Sequence, residues 1–127
     1  MPVVDTSAWI EWLQDSPLGR TLAPYFANPT DCIVPTIVQL ELAKWMTREV
    51  SEDASDQVIA FTKTCDVVPL DTHVALRAAE LSQTHKLATA DAIVYATTLH
   101  RHSEVVTCDA HFKDLEGVIY HPKGQGR

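Results

Sequence analysis

The sequence contains few cysteines, and none of them is spaced as a metal or redox motif. The three cysteines, Cys32, Cys65 and Cys108, form no CxxC pair and leave an odd one over. This usage fits free thiols in a reducing compartment better than a disulfide framework. We therefore expect a cytoplasmic protein.

Long apolar runs are also missing. No segment is long enough to span a bilayer, and the N-terminus has no basic region followed by an apolar stretch of signal-peptide length. We therefore expect no association with a membrane. Repeats, low-complexity tracts and interdomain linkers are absent, so 127 residues with 46% apolar composition predict one domain over residues 1–122. Residues 123–127 are predicted to be a flexible tail.

Positive charge is scarce. Ten Lys and Arg residues stand against 17 Asp and Glu residues, and the formal net charge is -7. The overall charge therefore does not indicate nucleic-acid binding. That argument is weak if the acids are concentrated at a metal site, because bound cations reverse the local charge.

Short apolar segments alternate with amphipathic segments along the chain. Strands are predicted at residues 2–4, 31–35, 66–70, 104–108 and 118–120. Helices are predicted at residues 8–13, 18–27, 37–49, 51–64, 72–85 and 89–100, with a short helical turn at 111–112. This alternation is typical of an α/β domain whose parallel strands are joined by right-handed crossovers.

Polar residues at the predicted helix starts are typical N-caps, because their side-chain oxygens accept hydrogen bonds from otherwise unpaired backbone N–H groups. The predicted caps are Thr36 for the third long helix, Ser51 or Glu52 for the fourth, Asp71 or Thr72 for the fifth, and Thr89 for the sixth.

Four acids occupy positions that meet at the carboxyl edge of such a sheet: Asp5, Glu41, Asp91 and Asp109. Asp5 and Asp109 follow strands, whereas Glu41 and Asp91 lie on helices that begin after strand ends. Each has an ordinary alternative, since Asp5 is equally well explained as a helix cap and Glu41 as the edge of a buried face. Four carboxylates in one cleft repel one another unless a cation neutralises them. The pattern therefore predicts a metal site.

Hard oxygen ligands of this kind favour Mg²⁺ or Mn²⁺. Zinc is disfavoured, because His100 and His102 are two residues apart at a helix end and face different directions. A hard cation can lower the pKa of a bound water, neutralise a phosphate and stabilise a departing alkoxide. An acidic site of this type therefore indicates phosphodiester hydrolysis.

Hydroxyl side chains near the acids are candidate supporting groups. Thr6 and Ser7 can hydrogen-bond a carboxylate or a metal-bound water. Thr107 is two residues before Asp109 and shares its side of the strand.

Two basic residues lie on the same helix side as Glu41. Lys44 and Arg48 follow it by three and seven positions. They either pair with acids on a solvated face or contact a substrate phosphate at the rim of the cleft.

Four segments of the chain, in this order, resemble the successive motifs of PIN-domain endoribonucleases, and most closely those of the VapC-type toxins of prokaryotic toxin–antitoxin pairs. They are Val4–Ser7, Val34–Glu41, Ala90–Ala96 and Thr107–Phe112. Any one segment is a weak signal, whereas the ordered set over nearly the whole chain is specific.

The resemblance implies a three-layer α/β/α sandwich with a central parallel sheet. In it Asp5, Glu41, Asp91 and Asp109 are the metal-binding quartet. It also implies Mg²⁺-dependent cleavage of RNA to a 5′-phosphate and a 3′-hydroxyl, a cognate antitoxin that blocks the cleft, and a homodimer.

Two other classes of protein remain open as alternatives. One is a different Mg²⁺ enzyme, such as a phosphatase or a DNA nuclease, although a haloacid-dehalogenase phosphatase needs a second Asp where this chain has Ser7. The other is a non-catalytic module such as a receiver domain. A receiver needs an acidic pair before its phosphoacceptor and a late-strand lysine, and the sequence does not contain that arrangement.

Overall fold

Five parallel strands form one sheet in the described part of the chain, which is residues 1–124 of a computed structural model. The strands are β1 (Val3–Val4), β2 (Ile33–Pro35), β3 (Asp66–Val68), β4 (Val105–Thr107) and β5 (Val118–Tyr120). Their order across the sheet is β3-β2-β1-β4-β5. Val3 is in register with Ile33 on one side and Val105 on the other. β1 is therefore the middle strand.

Six α-helices connect these strands within residues 1–124. They are α1 (Thr6–Leu13), α2 (Pro17–Leu22), α3 (Thr36–Glu49), α4 (Glu52–Thr62), α5 (Thr72–His85) and α6 (Thr89–His100). The chain runs from β1 outward to β3 and then returns to β4 on the other side of β1. Because crossovers between parallel strands are right-handed, α1–α4 cover one face of the sheet and α5 and α6 cover the other. The predicted three-layer α/β/α fold is confirmed.

The sheet is buried on both faces, which explains why its strands are almost continuously apolar. Val4 and Val106 are inaccessible to solvent. Beside the sheet, aromatic rings of α1 fill the core. Trp9 lies edge-on to Phe26 with ring centroids 4.7 Å apart, and Trp12 stacks on Phe26 at 4.1 Å. These contacts hold α1 in place above the middle of the sheet.

The differences from the predicted elements lie at their ends. The strand predicted from residue 31 begins two residues later, because Pro29–Asp31 form a 3-10 turn. α2 ends at Leu22, and Ala23–Phe26 continue as another 3-10 turn. Pro24 accounts for this, since it lacks the N–H that would bond to the carbonyl of Arg20 and its ring disfavours α-helical conformation just before it.

Two predicted helix caps are wrong. Thr36 and Thr89 are the first helical residues, and the cap positions belong to Pro35 and Ala88, which make no side-chain cap hydrogen bond. The Thr36 hydroxyl instead accepts a hydrogen bond from the backbone N–H of Leu70 at 3.1 Å. This is a contact between distant segments, which local sequence does not reveal.

Two other predicted caps are confirmed. Ser51 Oγ accepts from the backbone N–H of Ala54 at 3.0 Å, and Asp71 Oδ1 accepts from that of Val74 at 2.9 Å. The predicted turn after Asp109 is also present as a 3-10 turn over Ala110–Phe112.

At the end of the described chain, Lys123 and Gly124 form a turn. The remainder of the predicted flexible tail, residues 125–127, lies outside the described residues, and the domain boundary at 122 stays a prediction. Among the helices of residues 1–124, none combines the length and the hydropathy needed to cross a membrane.

Gly19 allows α2 to pack closely against α1. It is buried, and a Cβ built on it would overlap the carbonyl oxygen of Glu11 and lie 2.9 Å from the Cα of Trp12. Both obstructing groups are backbone, so a change of rotamer cannot relieve the overlap.

We predict that Gly19→Ala lowers the free energy of unfolding by about 1–3 kcal/mol, because the two helices must separate. The sign is diagnostic, since alanine at an unobstructed helical position is more stable than glycine by about 1 kcal/mol. Urea unfolding measures the change. Thr21→Ala, an exposed position on the same helix, is the control and should change stability by less than about 0.5 kcal/mol. A stabilised Gly19→Ala variant would contradict the packing.

Candidate functional site

The carboxyl ends of β1 and β4 lie side by side at the point where the strand order reverses. Asp5 immediately follows β1, and Asp109 is two residues beyond β4. In open parallel sheets ligands bind at such a switch point. Asp91, in the first turn of α6, and Glu41, in α3, complete a group that we call the acidic cleft.

Asp5 is held by two hydroxyl groups in a buried position. It occupies the N-cap position of α1 but makes no side-chain cap bond, so the capping alternative does not account for its carboxylate. Its Oδ2 accepts from Ser7 Oγ and from Thr107 Oγ1, both at 2.9 Å. Burial raises the pKa of Asp5, the charge of Glu41 raises it further, and the two hydroxyl bonds act in the opposite direction. The two hydroxyls therefore fix the orientation of the carboxylate. Within residues 1–124, no basic side chain contributes to the pKa shift of Asp5.

The same two hydroxyls also bind the backbone after β4. Ser7 Oγ accepts from the N–H of Cys108 at 2.9 Å, and Thr107 Oγ1 accepts from the N–H of Asp109 at 3.0 Å. The start of α1 and the end of β4 are thus joined through side chains. This network sets the position of Asp109 relative to that of Asp5.

Glu41 is drawn to the acidic cleft by Thr6. Thr6 Oγ1 donates to Glu41 Oε1 at 2.7 Å, across 35 positions of the chain. The Glu41 charge raises the pKa values of both Asp5 and Asp91. Glu41 therefore interacts electrostatically with the other acids of the cleft. Its apolar neighbours in the sequence were equally consistent with a position at the edge of a buried face.

Asp91 interacts electrostatically with each of the other three acids. Its pKa is raised to about 6, first by desolvation and then by the charges of Asp109, Asp5 and Glu41, while His111 acts in the opposite direction. Its side chain is 20% exposed, so it faces the open side of the cleft. Mutual repulsion of this kind is what a bound cation relieves.

His111 is a member of the cleft that the sequence analysis missed. Its Nδ1 lies 3.0 Å from Asp109 Oδ1 and 3.8 Å from Asp91 Oδ2. One ligand atom from each of these three residues lies within 4.8 Å of the others. In the sequence, His111 stands two residues after Asp109, within the family-like segment Thr107–Phe112 and in the predicted short turn.

Lys44 and Arg48 lie beside the cleft. With Glu41 and Thr6 they line a shallow pocket of about 240 Å³. Arg48 Nε contacts the neighbouring Glu49 at 2.9 Å, an exposed pair that holds it only weakly. Both basic groups therefore lie beside Glu41 at the rim of the acidic cleft.

A larger pocket, of about 560 Å³, lies elsewhere among the described residues. It is at the amino edge of the sheet, where Pro2, Arg101 and Glu104 are among its lining residues. None of the four acids lines it. The convergent charges, not the size of the pocket, make the acidic cleft the candidate site.

The donor set of the cleft suits a hard divalent cation. Asp91, Asp109 and His111 provide carboxylate oxygens and one nitrogen that lie within 4.8 Å of one another, and the charges of Asp5 and Glu41 act on Asp91 from nearby. Oxygen-rich sites of this composition take Mg²⁺ or Mn²⁺. The fold and this cleft define an α/β protein with a candidate metal centre at the switch point of its sheet.

Comparison with known proteins identifies the family. The sequence profile of the PIN domain matches residues 3–118, and the chain belongs to the PIN domain family. The resemblance drawn from the four sequence segments is confirmed at this level. Among curated proteins, no sequence matches the chain at a significant level.

Several solved structures share the fold. VapC20 of Mycobacterium tuberculosis, a toxin that cleaves the sarcin-ricin loop, aligns with a TM-score of 0.79 and 19% identity over 96% of this chain and 100% of that chain. A toxin–antitoxin complex from Klebsiella pneumoniae aligns with a TM-score of 0.78 and 21% identity, over 94% and 96% of the two chains. FitAcB from Neisseria gonorrhoeae aligns with a TM-score of 0.72 and 19% identity, over 96% of this chain and 98% of that chain.

We predict that Thr107→Val destabilises the protein by about 1–3 kcal/mol, because the valine keeps the shape but leaves Asp5 with one donor fewer and the N–H of Asp109 unpaired. Thermal and urea unfolding measure the loss. Thr98→Val is the matched control, since this buried hydroxyl bonds only to the Val94 carbonyl of its own helix. Equal effects of the two changes would contradict a special role for the Thr107 hydroxyl.

A second prediction concerns pH. The folded pKa of Asp91, about 6, exceeds its ordinary value of 3.8. The contribution of Asp91 to stability is therefore complete below about pH 4 and is lost as pH rises through 6. In EDTA, Asp91→Asn should be more stable than the unchanged protein at pH 7.5, by on the order of 1–3 kcal/mol, and equally stable at pH 4.

Urea unfolding at the two pH values tests this expectation. Asp56→Asn, which removes an exposed acid of α4, is the control and should show no pH-dependent gain. An Asp91→Asn variant that is less stable at pH 7.5 in EDTA would show that burial and the neighbouring carboxylates do not disfavour the ionised form of Asp91.

Proposed function

We propose that this protein is a metal-dependent endoribonuclease and the toxin of a type II toxin–antitoxin pair. The observation that carries the proposal is the convergence of four carboxylates at the switch point, with the pKa of Asp91 raised by burial and by the charges of the other three. Such a group needs a cation, and a hard cation in an acidic cleft suits phosphodiester hydrolysis. Membership of the PIN domain family supports the same function.

In this proposal Asp5 and Asp91 would hold the principal Mg²⁺, with Mn²⁺ as the alternative ion. Asp109 would complete the ligand set for one or two ions, and Glu41 would either ligate through a water or orient the attacking water. The ion supplies charge neutralisation at the phosphate and makes its bound water more acidic. Ser7 and Thr107 keep the Asp5 carboxylate aimed, and Thr6 does the same for Glu41.

The position of Asp91 favours its ionised form once a cation is bound. It lies in the first turn of α6, where the positive end of the helix dipole stabilises an anion. Lys44 and Arg48 are proposed to contact RNA phosphates as the strand passes the pocket beside Glu41. Their charge is needed there because the protein as a whole is acidic.

The proposed partners are an RNA substrate, a cognate antitoxin and a second copy of the chain, in the cytoplasm. Structures with this fold include toxin–antitoxin complexes, which supports an antitoxin as a partner. The proposed products of cleavage carry a 5′-phosphate and a 3′-hydroxyl.

We predict that the purified protein cleaves a mixed RNA pool with Mg²⁺ or Mn²⁺, that EDTA stops the cleavage, and that Asp91→Asn reduces it at least a hundredfold. The reason is that the amide removes a ligand charge from the ion. Gel analysis and end mapping of the products measure the activity, and Asp56→Asn is the matched control with unchanged cleavage.

Three results would contradict the proposal. An Asp91→Asn variant that is folded and fully active would remove the acidic cleft from the mechanism. Cleavage of DNA or of a small phosphoester, with no action on RNA, would favour the other class of Mg²⁺ enzyme. A protein whose melting temperature does not respond to either ion, and which cleaves nothing, would favour the non-catalytic module.

A further inference from the structure

The imidazole of His111 is placed in the cleft by the turn that follows β4. Phe112, the next residue, is fully buried and anchors the turn to the core. Asp109 Oδ1 accepts from the backbone N–H of His111 at 2.9 Å, which fixes the turn on its other side. The side chain itself is 77% exposed, so it has room to adjust toward a bound ion.

The spacing of the donor atoms fits a coordination sphere. Neighbouring ligands of an octahedral ion with bonds of about 2.1 Å are about 3.0 Å apart, and opposite ligands are about 4.2 Å apart. His111 Nδ1 is 3.0 Å from Asp109 Oδ1 and 3.8 Å from Asp91 Oδ2. The first distance equals that of neighbouring ligands, and the second lies between the two limits. The ring is largely exposed, so it has room to rotate and shorten the second distance.

We propose that His111 Nδ1 is a direct ligand of the cation in the acidic cleft, and that this nitrogen makes the site prefer Mn²⁺ to Mg²⁺. The inference rests on the proposed function, because it assumes that a cation binds between Asp91 and Asp109. It adds to the four carboxylates a fifth ligand that differs from them chemically.

The preference follows from the chemistry of the donor. Mg²⁺ is bound almost entirely through oxygen. Mn²⁺ belongs to the first-row transition series, whose later members Fe²⁺ to Zn²⁺ readily bind imidazole nitrogen. As a ligand the ring is neutral, with its proton on Nε2 and the lone pair of Nδ1 toward the ion. One imidazole among carboxylates therefore keeps the site suited to hard cations while shifting its order of preference.

A simpler role for His111 is a hydrogen bond from Nδ1–H to Asp109 Oδ1. In that case the ring steadies Asp109 but never touches the ion. The two roles predict different magnetic spectra for bound Mn²⁺, because only direct coordination couples the electron spin to an imidazole nitrogen.

The test uses the full chain with Mn²⁺ alone as the probe. Pulsed electron paramagnetic resonance should show imidazole ¹⁴N coupling in the unchanged protein and none in His111→Gln. Titration calorimetry should show a loss of Mn²⁺ affinity of about tenfold in His111→Gln, with a change in Mg²⁺ affinity below about threefold. Thermal unfolding in EDTA verifies that the variant is folded.

His73→Gln is the matched control. His73 is exposed, and its ring lies 5.2 Å from that of His100 at the far end of α6, about 13 Å along the helix from Asp91. It should keep both the ¹⁴N coupling and the Mn²⁺ affinity. Loss of the signal in this variant as well would show that the nitrogen does not come from His111.

The possible results separate this proposal from the proposed function. Mn²⁺ binding without ¹⁴N coupling would overturn the role of His111 and leave the acidic metal site intact. Equal losses of Mn²⁺ and Mg²⁺ affinity in His111→Gln would overturn the stated preference. Failure of the unchanged protein to bind either ion would overturn both proposals.

Discussion

The buried charge of Asp5 is the constraint on which the rest of the site depends. A carboxylate at the end of the middle strand is almost entirely removed from water, and the folded chain must supply its hydrogen-bond donors from nearby side chains. It does so with Ser7 and Thr107, two hydroxyls that are 100 positions apart in the chain. Because these hydroxyls also bind the backbone after β4, the arrangement that satisfies Asp5 simultaneously positions Asp109.

The donors that bind Asp5 are neutral hydroxyls, so they do not offset the negative charge of the cleft. Neutral hydroxyls orient a carboxylate without cancelling its charge, so the repulsion among the four acids persists in the protein alone. Burial and this repulsion together raise the pKa of Asp91, at the open side, to about 6. The ionised carboxylates of the cleft thus lower the stability of the protein, and a cation bound there would restore it. Local strain of this kind is expected at functional sites of otherwise well-packed folds.

Much of the fold could be predicted from the sequence, because hydrophobic periodicity and helix-terminal residues are local properties. The alternation of segments was sufficient for a parallel α/β sheet, and the caps at Ser51 and Asp71 agree with the structure. The caps proposed at Thr36 and Thr89 failed. Thr36 bonds to Leu70, a residue that local sequence could not identify as its neighbour. Proline explains the shortened α2, and that signal was present in the sequence at Pro24.

The sequence by itself determined which acids follow strands and which lie on helices that begin after strand ends, since these are matters of order along the chain. Only the tertiary structure decided that they face one another. The register of Val3 with Val105 brings Asp5 beside Thr107, and a shift by one residue would turn every side chain of the strand to the other face. The structure likewise decided the place of His111, whose neighbour Asp91 lies on another element. Distances between side chains depend on packing between elements, and a pattern along one chain does not contain them.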